Sequence, residues 1–265
     1  MRIFRKYFFI AWLSGRSNLA YLGEIYSRIL FMSVILYIFL QLWRATYSAC
    51  GVERLGDLTL PQMLWYLTIT EAIMLSAPRV TQQVDEDVRT GAIAMKLVRP
   101  LSYPLAILSA NLGERIVRFA LNLFAGSVVT FIMVGSFDVS AFGFLALAAS
   151  LPLAFAIDFL GCFLIGLAAF WLEDTSGIYL IYSRLSMVLG GMLLPLELFP
   201  NWVRPLLDVL PFPNVVYGPA HQFLNPNLGG LLTLLLRQCL STAGFALAIA
   251  LVWRLAMKRV FANGG

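Results

Sequence analysis

Charged side chains are scarce in this sequence. Aspartate, glutamate, lysine and arginine make up 12% of its 265 residues, while hydrophobic residues make up 60%. A soluble domain carries about 25% charged residues and is about 45–50% apolar. A soluble fold of this length could not bury so much apolar surface, so lipid must be the solvent for much of the chain. The scarcity of charge therefore excludes an ordinary soluble domain.

Catalytic and nucleotide-binding motifs are missing as well. The sequence contains no Gly-Lys pair, and hence no phosphate-binding loop of the Gly-x-x-x-x-Gly-Lys-Ser/Thr type. It has no His-Glu-x-x-His, Gly-x-Ser-x-Gly or Cys-x-x-Cys motif either. Its one histidine, His221, cannot form a histidine metal cluster, and its three cysteines show no pairing pattern. We therefore expect no enzymatic activity, cofactor or metal ion in this chain itself.

Six hydrophobic runs are long enough to cross a bilayer, whose hydrocarbon core of about 30 Å takes about 20 helical residues. Such runs must be helical, because an open chain cannot satisfy its backbone hydrogen bonds in lipid. The sequence thus predicts an all-α, polytopic membrane protein with six transmembrane helices in one domain over residues 1–265. The predicted spans cover residues 25–43, 58–77, 105–134, 141–171, 177–194 and 230–253.

Particular residues mark where these helices begin or bend. Thr59 and Pro61 are typical of a helix start and lie at the beginning of the second span. The fourth run would extend about 46 Å as one straight helix, so we expect Pro152 to kink or divide it. Residues 173–176 form the next turn and offer a helix cap.

Two further segments are apolar without being simple spans. Residues 1–22 mix basic and aromatic side chains, which is typical of a helix lying flat in the membrane interface; a basic tail is the alternative. Residues 195–228 are rich in proline, asparagine and aromatic residues, yet too apolar for a free loop. They predict an outer re-entrant helical hairpin between helices 5 and 6, which dips into the membrane and returns.

Basic residues are distributed unequally between the two sides of the membrane. Most lysines and arginines flank the spans on one side, and the other side holds chiefly Arg44, Arg54 and Arg204. The positive-inside rule makes the first side, with both termini, cytoplasmic. The same rule explains the net charge of +5, so we expect no nucleic-acid partner.

The most polar stretch of the chain, residues 79–104, follows the second span on the cytoplasmic side. An acidic cluster opens it, a turn at Thr90-Gly91 follows, and apolar residues then lead to Pro100. Such a stretch can form a short amphipathic helix, whose apolar side chains face a partner's groove and whose acidic ones fix the register. A solvated loop is the alternative interpretation.

This segment resembles the cytoplasmic coupling segment of ABC-2-type transporter permeases, in which an acidic residue precedes a glycine and a Leu-rich turn that ends in proline. The matching residues are Glu86, Gly91, Leu97 and Pro100. Residues 190–202 are similar to the Gly, Pro and Phe-Pro pattern after the family's fifth span, and residues 207–211 to the end of its outer re-entrant helices. The resemblance covers essentially the whole chain and is closest to small bacterial permeases encoded beside a separate ATPase.

The resemblance implies the permease subunit of an ATP-binding-cassette exporter in the bacterial cytoplasmic (inner) membrane. Two permease chains, identical or related, would enclose a path through the membrane lipid, and an ATPase subunit dimer that binds ATP and Mg would dock below them. ATP-driven closure would switch the path from inward-open to outward-open. An ion-gradient-driven secondary transporter is the alternative, but it leaves the acidic segment unexplained. The residues expected to couple to the ATPase are Asp85, Glu86, Asp87, Arg89, Gly91, Glu173 and Asp174.

Polar residues within the predicted spans are candidates for a substrate path. They are Glu71, Asn122, Asp158 and Arg184. An ionised side chain at the bilayer centre costs about 2.5–3.5 kcal/mol on insertion scales, so each should face protein or water. The path could meet a cationic or amphipathic substrate at Glu71 or Asp158; the alternative is interhelical pairing, for example of Asp158 with Arg184. On the third helix, Glu114 and Arg118 are spaced for a helical ion pair.

Overall fold

The computed structural model of the chain describes residues 2–19, 22–56, 58–136 and 140–263. Within these ranges the chain is mostly helical, with one two-stranded antiparallel ribbon of β1 (Arg54–Leu55) and β2 (Leu58–Thr59). The α-helices are, in chain order, α1 (Arg2–Leu19), α2 (Leu22–Cys50), α3 (Leu60–Leu75), α4 (Val80–Arg89), α5 (Ala92–Leu97), α6 (Tyr103–Val134), α7 (Ala141–Leu167), α8 (Ser176–Leu189), α9 (Arg204–Val209), α10 (Phe212–Val215), α11 (Tyr217–Leu224) and α12 (Leu228–Asn263).

Four of the described helices are long and apolar enough to cross a membrane: α2, α6, α7 and α12. Their candidate spans are Tyr26–Cys50, Tyr103–Val134, Ala141–Phe170 and Leu228–Lys258. The other two predicted spans contain α3 and α8, which have only 16 and 14 residues, or about 24 and 21 Å. An all-α polytopic membrane protein is thus confirmed, and the count of six spans stays a prediction.

The start of α3 follows from its first residues, as the sequence predicts. Thr59 is the N-cap, Pro61 lies in the first turn, and Gln62 Oε1 accepts a hydrogen bond from the Thr59 amide at 3.0 Å. Proline fits there because its missing N–H is one of the donors that a helix start leaves unpaired. The preceding helix α2 continues to Cys50, past the predicted end at residue 43, so the connection to α3 is shorter than expected.

The centre of the fold is α7. It runs unbroken through Pro152, so the proline does not divide the fourth hydrophobic run, and a 3₁₀ turn at Ala168–Phe170 ends it. Within the protein, 56% of its apolar window is buried, against 22% for α2 and α6 and 11% for α12. The helices α4, α11 and α12 all pack against it.

Helix α3 packs antiparallel against α6. Trp65 Nε1 donates to the Gly135 carbonyl at 3.2 Å, and the hydroxyls of Thr68 and Thr130 lie 2.5 Å apart. A Cβ added at Gly126 would lie 2.9 Å from Thr68 Cγ2, so the small residue allows the close approach. As a result, ten residues of α3 are buried.

Helix α1 lies along α6. A Cβ added at Gly113 would lie 1.8 Å from the Ala11 carbonyl oxygen, so the two backbones touch where no side chain fits. The exposed side chains of α1 include Arg5, Lys6, Phe8, Phe9, Trp12, Leu13 and Arg16. Basic and aromatic side chains together suit a membrane interface. The helix predicted for residues 1–22 is present, and its place in the interface stays a prediction.

Residues 195–228 fold into short helices, as expected: a 3₁₀ turn at Leu196–Leu198, then α9, α10 and α11. The segment is bonded to α12, and the chain just before it is bonded to α3. The Tyr66 hydroxyl donates to the Gly191 carbonyl just before it, and Gln238 Nε2 of α12 donates to the Asn214 carbonyl at 2.8 Å. Its entry into the membrane stays a prediction.

Candidate functional site

The predicted coupling segment, residues 79–104, contains two helices joined by a tight turn. The acidic cluster lies on α4, which ends at Arg89. Gly91 follows with a φ of 71°, a left-handed conformation that glycine adopts without strain, and α5 begins at the next residue. The predicted turn at Thr90-Gly91 is therefore present, and the solvated-loop alternative does not hold for α4 and α5.

Helix α4 is fastened to α7. Thr81 Oγ1 donates to the Cys162 carbonyl at 2.9 Å. About one turn further along both helices, a Cβ added at Gly166 would lie 2.7 Å from the Cβ of Val84, which is fully buried. The two helices touch here without room for another side chain. Such close packing resists compression.

A polar cluster joins the end of α4 to the turn before α8. Asp85 Oδ2 pairs with Arg89 Nε at 3.0 Å, and Asp85 Oδ1 accepts from Thr175 Oγ1 at 2.8 Å. Arg89 Nη2 also lies 3.4 Å from Asp174 Oδ1. That same oxygen accepts from the Ser176 amide at 2.9 Å and so pairs one of the amides that the start of α8 leaves without a helical partner. Three predicted coupling residues, Asp85, Arg89 and Asp174, thus meet in one cluster.

The contacts of Asp174 favour its ionised form. Hydrogen bonds from the Ser176 side chain and amide, and then the nearby Arg89 guanidinium, lower the pKa of Asp174 below its ordinary value. A negative charge at this position also suits the positive end of the α8 helix dipole. The turn therefore carries a stable negative charge in front of α8.

Asp87 lies inside the coupling segment. Its carboxylate binds Lys96 Nζ at 2.6 Å and accepts from the Tyr103 hydroxyl at 2.8 Å. Asp87 is 7% exposed, so it joins α4 to α5 and to the start of α6. The neighbouring Glu86 is exposed. Of these two acidic residues, only Glu86 is placed to meet a partner.

We give the name coupling surface to five of the exposed side chains of this segment and of the turn at residues 173–174. Its members are Glu86, Met95, Val98, Glu173 and Asp174. Met95 and Val98 are 72% and 86% exposed, whereas Ile93 is buried and anchors α5. Exposed apolar side chains are typical of a surface that docks another protein, and the carboxylates beside them suit the polar rim of such a surface.

A polar cleft of about 610 Å³ opens beside α4, against α2 and α6. Its lining consists of Arg28, Arg79, Gln82, Gln83, Glu86, Asn111, Glu114 and Arg118. Arg118 pairs with Glu114 one turn away, as their spacing predicts, and Arg28 Nη1 donates to the Leu75 carbonyl at 3.0 Å. Glu86 therefore lines this polar cleft and also belongs to the coupling surface.

Asp158 pairs with Arg115, so its suggested pairing with Arg184 is wrong. Arg115 Nη1 lies 2.6 Å from Asp158 Oδ2, and Arg115 Cζ lies 4.3 Å from the centre of the Phe155 ring. The side chains of Arg115 and Asp158 are 3% and 14% exposed. The adjacent cavity of about 10 Å³ has room for about one water molecule. This site binds α6 to α7 and is too small for a substrate.

Glu71 and Asn122 lie inside the protein, on α3 and α6. They are 1% and 3% exposed. Glu71 Oε2 and Asn122 Nδ2 have no hydrogen-bond partner among the described residues, which makes their burial costly. A path lined by these two side chains would have to run through the packed interior of the chain.

Arg184 differs from the other three intramembrane candidates. It is exposed on α8 and forms no ion pair with the described part of the chain; its Nη1 lies 4.0 Å from the Met187 sulfur. Leu180, Ile181 and Val188, one turn away, are exposed as well. The structure thus separates the four candidates into three interior residues and one surface residue.

A second cavity, of about 250 Å³, lies between the short helices of residues 195–228 and α12. His221 Nε2 lies 3.3 Å from Glu197 Oε1, and its ring stacks on Tyr217 at 5.1 Å. Arg237 of α12 pairs with Asp208 of α9 at 2.8 Å. These contacts hold the short helices to one another and to α12.

Metal-binding clusters are not found in residues 2–19, 22–56, 58–136 and 140–263: no group of three His, Cys, Asp or Glu side chains is arranged to hold an ion. The thiols of Cys50, Cys162 and Cys239 are free. Among the described residues we find no arrangement that suggests a reaction centre.

The four described helices that are long and apolar enough to cross a membrane define a multi-pass membrane protein. A family model described as "ABC-2 family transporter protein" matches residues 30–264. Because this match spans most of the chain, the chain belongs to the ABC-2 transporter family and is a permease component of an ABC transporter. Membership implies association with an ABC ATPase. A comparison with curated proteins returns no match.

Proposed function

We propose that this chain forms one half of the translocation path of an ATP-driven exporter and couples to a separate ATPase subunit dimer. The observation that carries the proposal is the attachment of the coupling segment. Thr81 of α4 donates a hydrogen bond to α7, and Val84 of α4 packs against Gly166 of α7. Asp85 and Arg89 of α4 bind the turn before α8. A partner that pushes on α4 therefore moves two helices of the membrane domain. The partner, and not this chain, binds ATP and Mg.

The ATPase docks on the coupling surface. The apolar members of this surface enter a groove of the partner, and its carboxylates fix the register. Asp87, Arg89 and Gly91 keep the segment in shape for docking. Asp87 joins α4 to α5, Arg89 joins α4 to Asp174, and Gly91 permits the turn.

Closure of the ATPase dimer on ATP moves α4 and α5 as a rigid lever. Because α4 is packed against α7 without free space, α7 follows, and the Asp85 and Arg89 bonds carry the start of α8 with it. The shift of these helices changes the path from inward-open to outward-open, and hydrolysis resets it. The direction we propose is export, on the family resemblance.

Six spans give the topology of this proposal, in the bacterial cytoplasmic membrane with both termini in the cytoplasm. α3 and α8 are shorter than the hydrocarbon core of about 30 Å, but ordered chain continues each of them: the β-ribbon before α3 and residues 190–199 after α8. Non-helical backbone at membrane depth is tolerated where protein covers it. Residues 195–228 form the re-entrant segment on the outer side.

A second permease chain, identical or related, covers α8. Of the 14 residues of α8, only Ser186 is buried, and Arg184 lies on the uncovered side. An arginine that faced lipid at this depth would cost about 2.5–3.5 kcal/mol on insertion scales, so protein or water must lie there. Glu71, Asn122 and Asp158 hold the helices of one chain together in this proposal.

The docking is tested with the chain purified together with its ATPase in lipid nanodiscs, by measuring bound ATPase and ATP turnover. Glu86→Lys reverses an exposed charge of the coupling surface, and we expect ATPase binding to weaken about tenfold or more. Glu53→Lys is the matched control, because Glu53 is exposed in the turn that follows α2, in the part of the chain we assign to the outer side. This control should bind the ATPase normally.

Two results count against the docking. Normal ATPase binding and turnover by Glu86→Lys would show that the charge is not at the contact, and equal losses in both variants would show a general defect. A purified chain that carries no ATPase and transports on an ion gradient alone would favour the secondary transporter instead.

A further inference from the structure

Helix α8 carries a charge that the described residues of its own chain do not balance. Arg184 lies eight residues after Ser176 (176 to 184), about 12 Å along the helix from its start. That start is fixed at the coupling segment by the contact of Asp174 with Arg89. In the proposed topology the guanidinium therefore lies at the depth of the hydrocarbon, where it must face protein or water.

The carboxylates at a similar depth cannot reach Arg184. Among the described residues, the carboxylates in the middle of apolar helices are Glu71, Glu114 and Asp158, and Glu114 is paired with Arg118. Glu71 is 1% exposed, and Asp158 is bound to Arg115 at 2.6 Å. A second, identical chain would therefore bring no exposed carboxylate from these helices. The positive charge of Arg184 is left for a group that does not belong to the described chain.

The surroundings of Arg184 are apolar. Leu180, Ile181 and Val188 lie one turn away on the same face and are 55%, 63% and 45% exposed. A guanidinium binds a carboxylate, phosphate or sulfate through paired N–H donors, more strongly than it binds neutral groups. A ligand that complements this face has one anionic group attached to an apolar body.

We propose that Arg184 binds the anionic group of an amphipathic substrate, on a path face formed by α8 of each permease chain. This inference rests on the function proposed above, and it names the substrate class. It reverses the charge expected from the sequence, because the carboxylates that suggested a cationic substrate, Glu71 and Asp158, lie inside the chain. The path presents one cation from each chain and no exposed intramembrane carboxylate from the described residues.

The local charge of this face can be measured without knowing the substrate. In a chain whose three native cysteines are replaced by alanine, Ile181→Cys places a thiol one turn from Arg184. The assembled permease–ATPase complex is then treated with two methanethiosulfonates, the anionic sulfonatoethyl and the cationic trimethylammonioethyl reagent. The ratio of their reaction rates reports the electrostatic potential at the thiol.

We expect Arg184→Gln to lower the anionic-to-cationic rate ratio at position 181 at least about fivefold, because a unit charge within about 8 Å acts in a medium of reduced dielectric constant. Arg184→Lys keeps the charge and should keep the ratio within about twofold. Val52→Cys in the turn that follows α2 is the control, exposed at 42%, and its ratio should not depend on residue 184. An unchanged ratio at position 181, equal changes at both positions, or a thiol at 181 that neither reagent reaches would overturn the proposal.

Ligand binding gives a second, independent readout. In nanodiscs of phosphatidylcholine, the complex is titrated with fluorescent dansylaminoundecanoate and with its uncharged methyl ester. We expect Arg184→Gln to weaken binding of the carboxylate probe about tenfold or more and to leave the ester unchanged. Equal affinity of the unmodified chain for acid and ester contradicts the proposal.

These readouts need no ATP turnover, so they can fail separately from the docking. If Glu86→Lys leaves ATPase binding intact while Arg184→Gln shifts both readouts, the docking assignment is wrong and the anion site stands. If Glu86→Lys abolishes docking while Arg184→Gln changes neither readout, the role of Arg184 is wrong and the coupling stands.

Discussion

Helices α3 and α8 are both short and apolar, yet ten residues of α3 are buried and only Ser186 of α8 is. α3 packs against α2, α6 and α11, whereas α8 contacts mainly α7 and α10. Their central charges follow the same division, since Glu71 lies inside the chain and Arg184 lies on its surface. One short apolar helix thus belongs to the core of a single chain, whereas the other leaves an uncovered face, which we propose meets a second chain and the path.

The largest effect should come from removing an arginine from the interior. Arg115→Met leaves Asp158 without its partner and should lower the free energy of unfolding by about 3–5 kcal/mol. Arg184→Met removes a surface charge and should change that free energy by less than about 0.5 kcal/mol. Equilibrium unfolding in mixed micelles measures both. Adding Asp158→Leu to Arg115→Met should recover most of the loss; equal costs for the two single variants would erase the difference between interior and surface.

Truncation of a leucine should likewise cost more stability on α3 than on α8. Leu67 of α3 is fully buried, and Leu67→Ala leaves a cavity that should cost about 2–5 kcal/mol. Leu180 of α8 is 55% exposed, and Leu180→Ala should cost less than about 1 kcal/mol in the single chain. The unfolding midpoints of both variants are compared in the same micelles. A loss at Leu180 as large as that at Leu67 would mean that α8 is covered by its own chain after all.

A glycine substitution should separate α7 from the coupling segment. Gly166→Val places a side chain against Val84 and should destabilise the fold by about 1–3 kcal/mol and remove most substrate-stimulated ATP turnover. Gly244→Val on α12 is the matched control, because a Cβ there meets nothing within 4 Å. The check is ATP turnover of each reconstituted complex. Full stimulation of the Gly166→Val complex would show that the α4–α7 contact does not carry the movement.

The smallest effect should come from removing the charge of Asp174, which accepts hydrogen bonds from Ser176 at the start of α8. The folded pKa of Asp174 is lowered by its hydrogen bonds with Ser176 and by Arg89, so its carboxylate stabilises the fold above its ordinary pKa of 3.8. That contribution is lost as the pH falls through the lowered pKa. Asp174→Asn should therefore lower the melting temperature slightly at neutral pH and leave it unchanged in strong acid. A difference that grows as the pH falls has the opposite sign and contradicts this role.

Local features of the fold could be predicted from the sequence. The start of α3 follows from Thr59 and Pro61, and the turn of the coupling segment from Gly91, because a cap and a left-handed turn depend on a few neighbouring residues. The ion pair of Glu114 with Arg118 follows from their spacing on one helix.

Contacts between helices could not be predicted in the same way. The partner of Asp158 is Arg115 because of how α6 and α7 are rotated against each other, and the sequence contains no direct measure of that rotation. The difference in burial between α3 and α8 could not be predicted either. An apolar side chain suits both lipid and the protein interior, so hydropathy does not tell a covered helix from an uncovered one.

Chemical labelling can show directly on which side of the membrane the coupling surface lies and whether the ATPase covers it. Val98→Cys, 86% exposed on that surface, is treated with a membrane-impermeant maleimide in a chain without its native cysteines. We expect no labelling in intact spheroplasts, labelling in inverted vesicles stripped of the ATPase, and protection when the ATPase binds again. Labelling in intact spheroplasts, or equal labelling with and without the ATPase, would contradict the coupling of this permease to its motor.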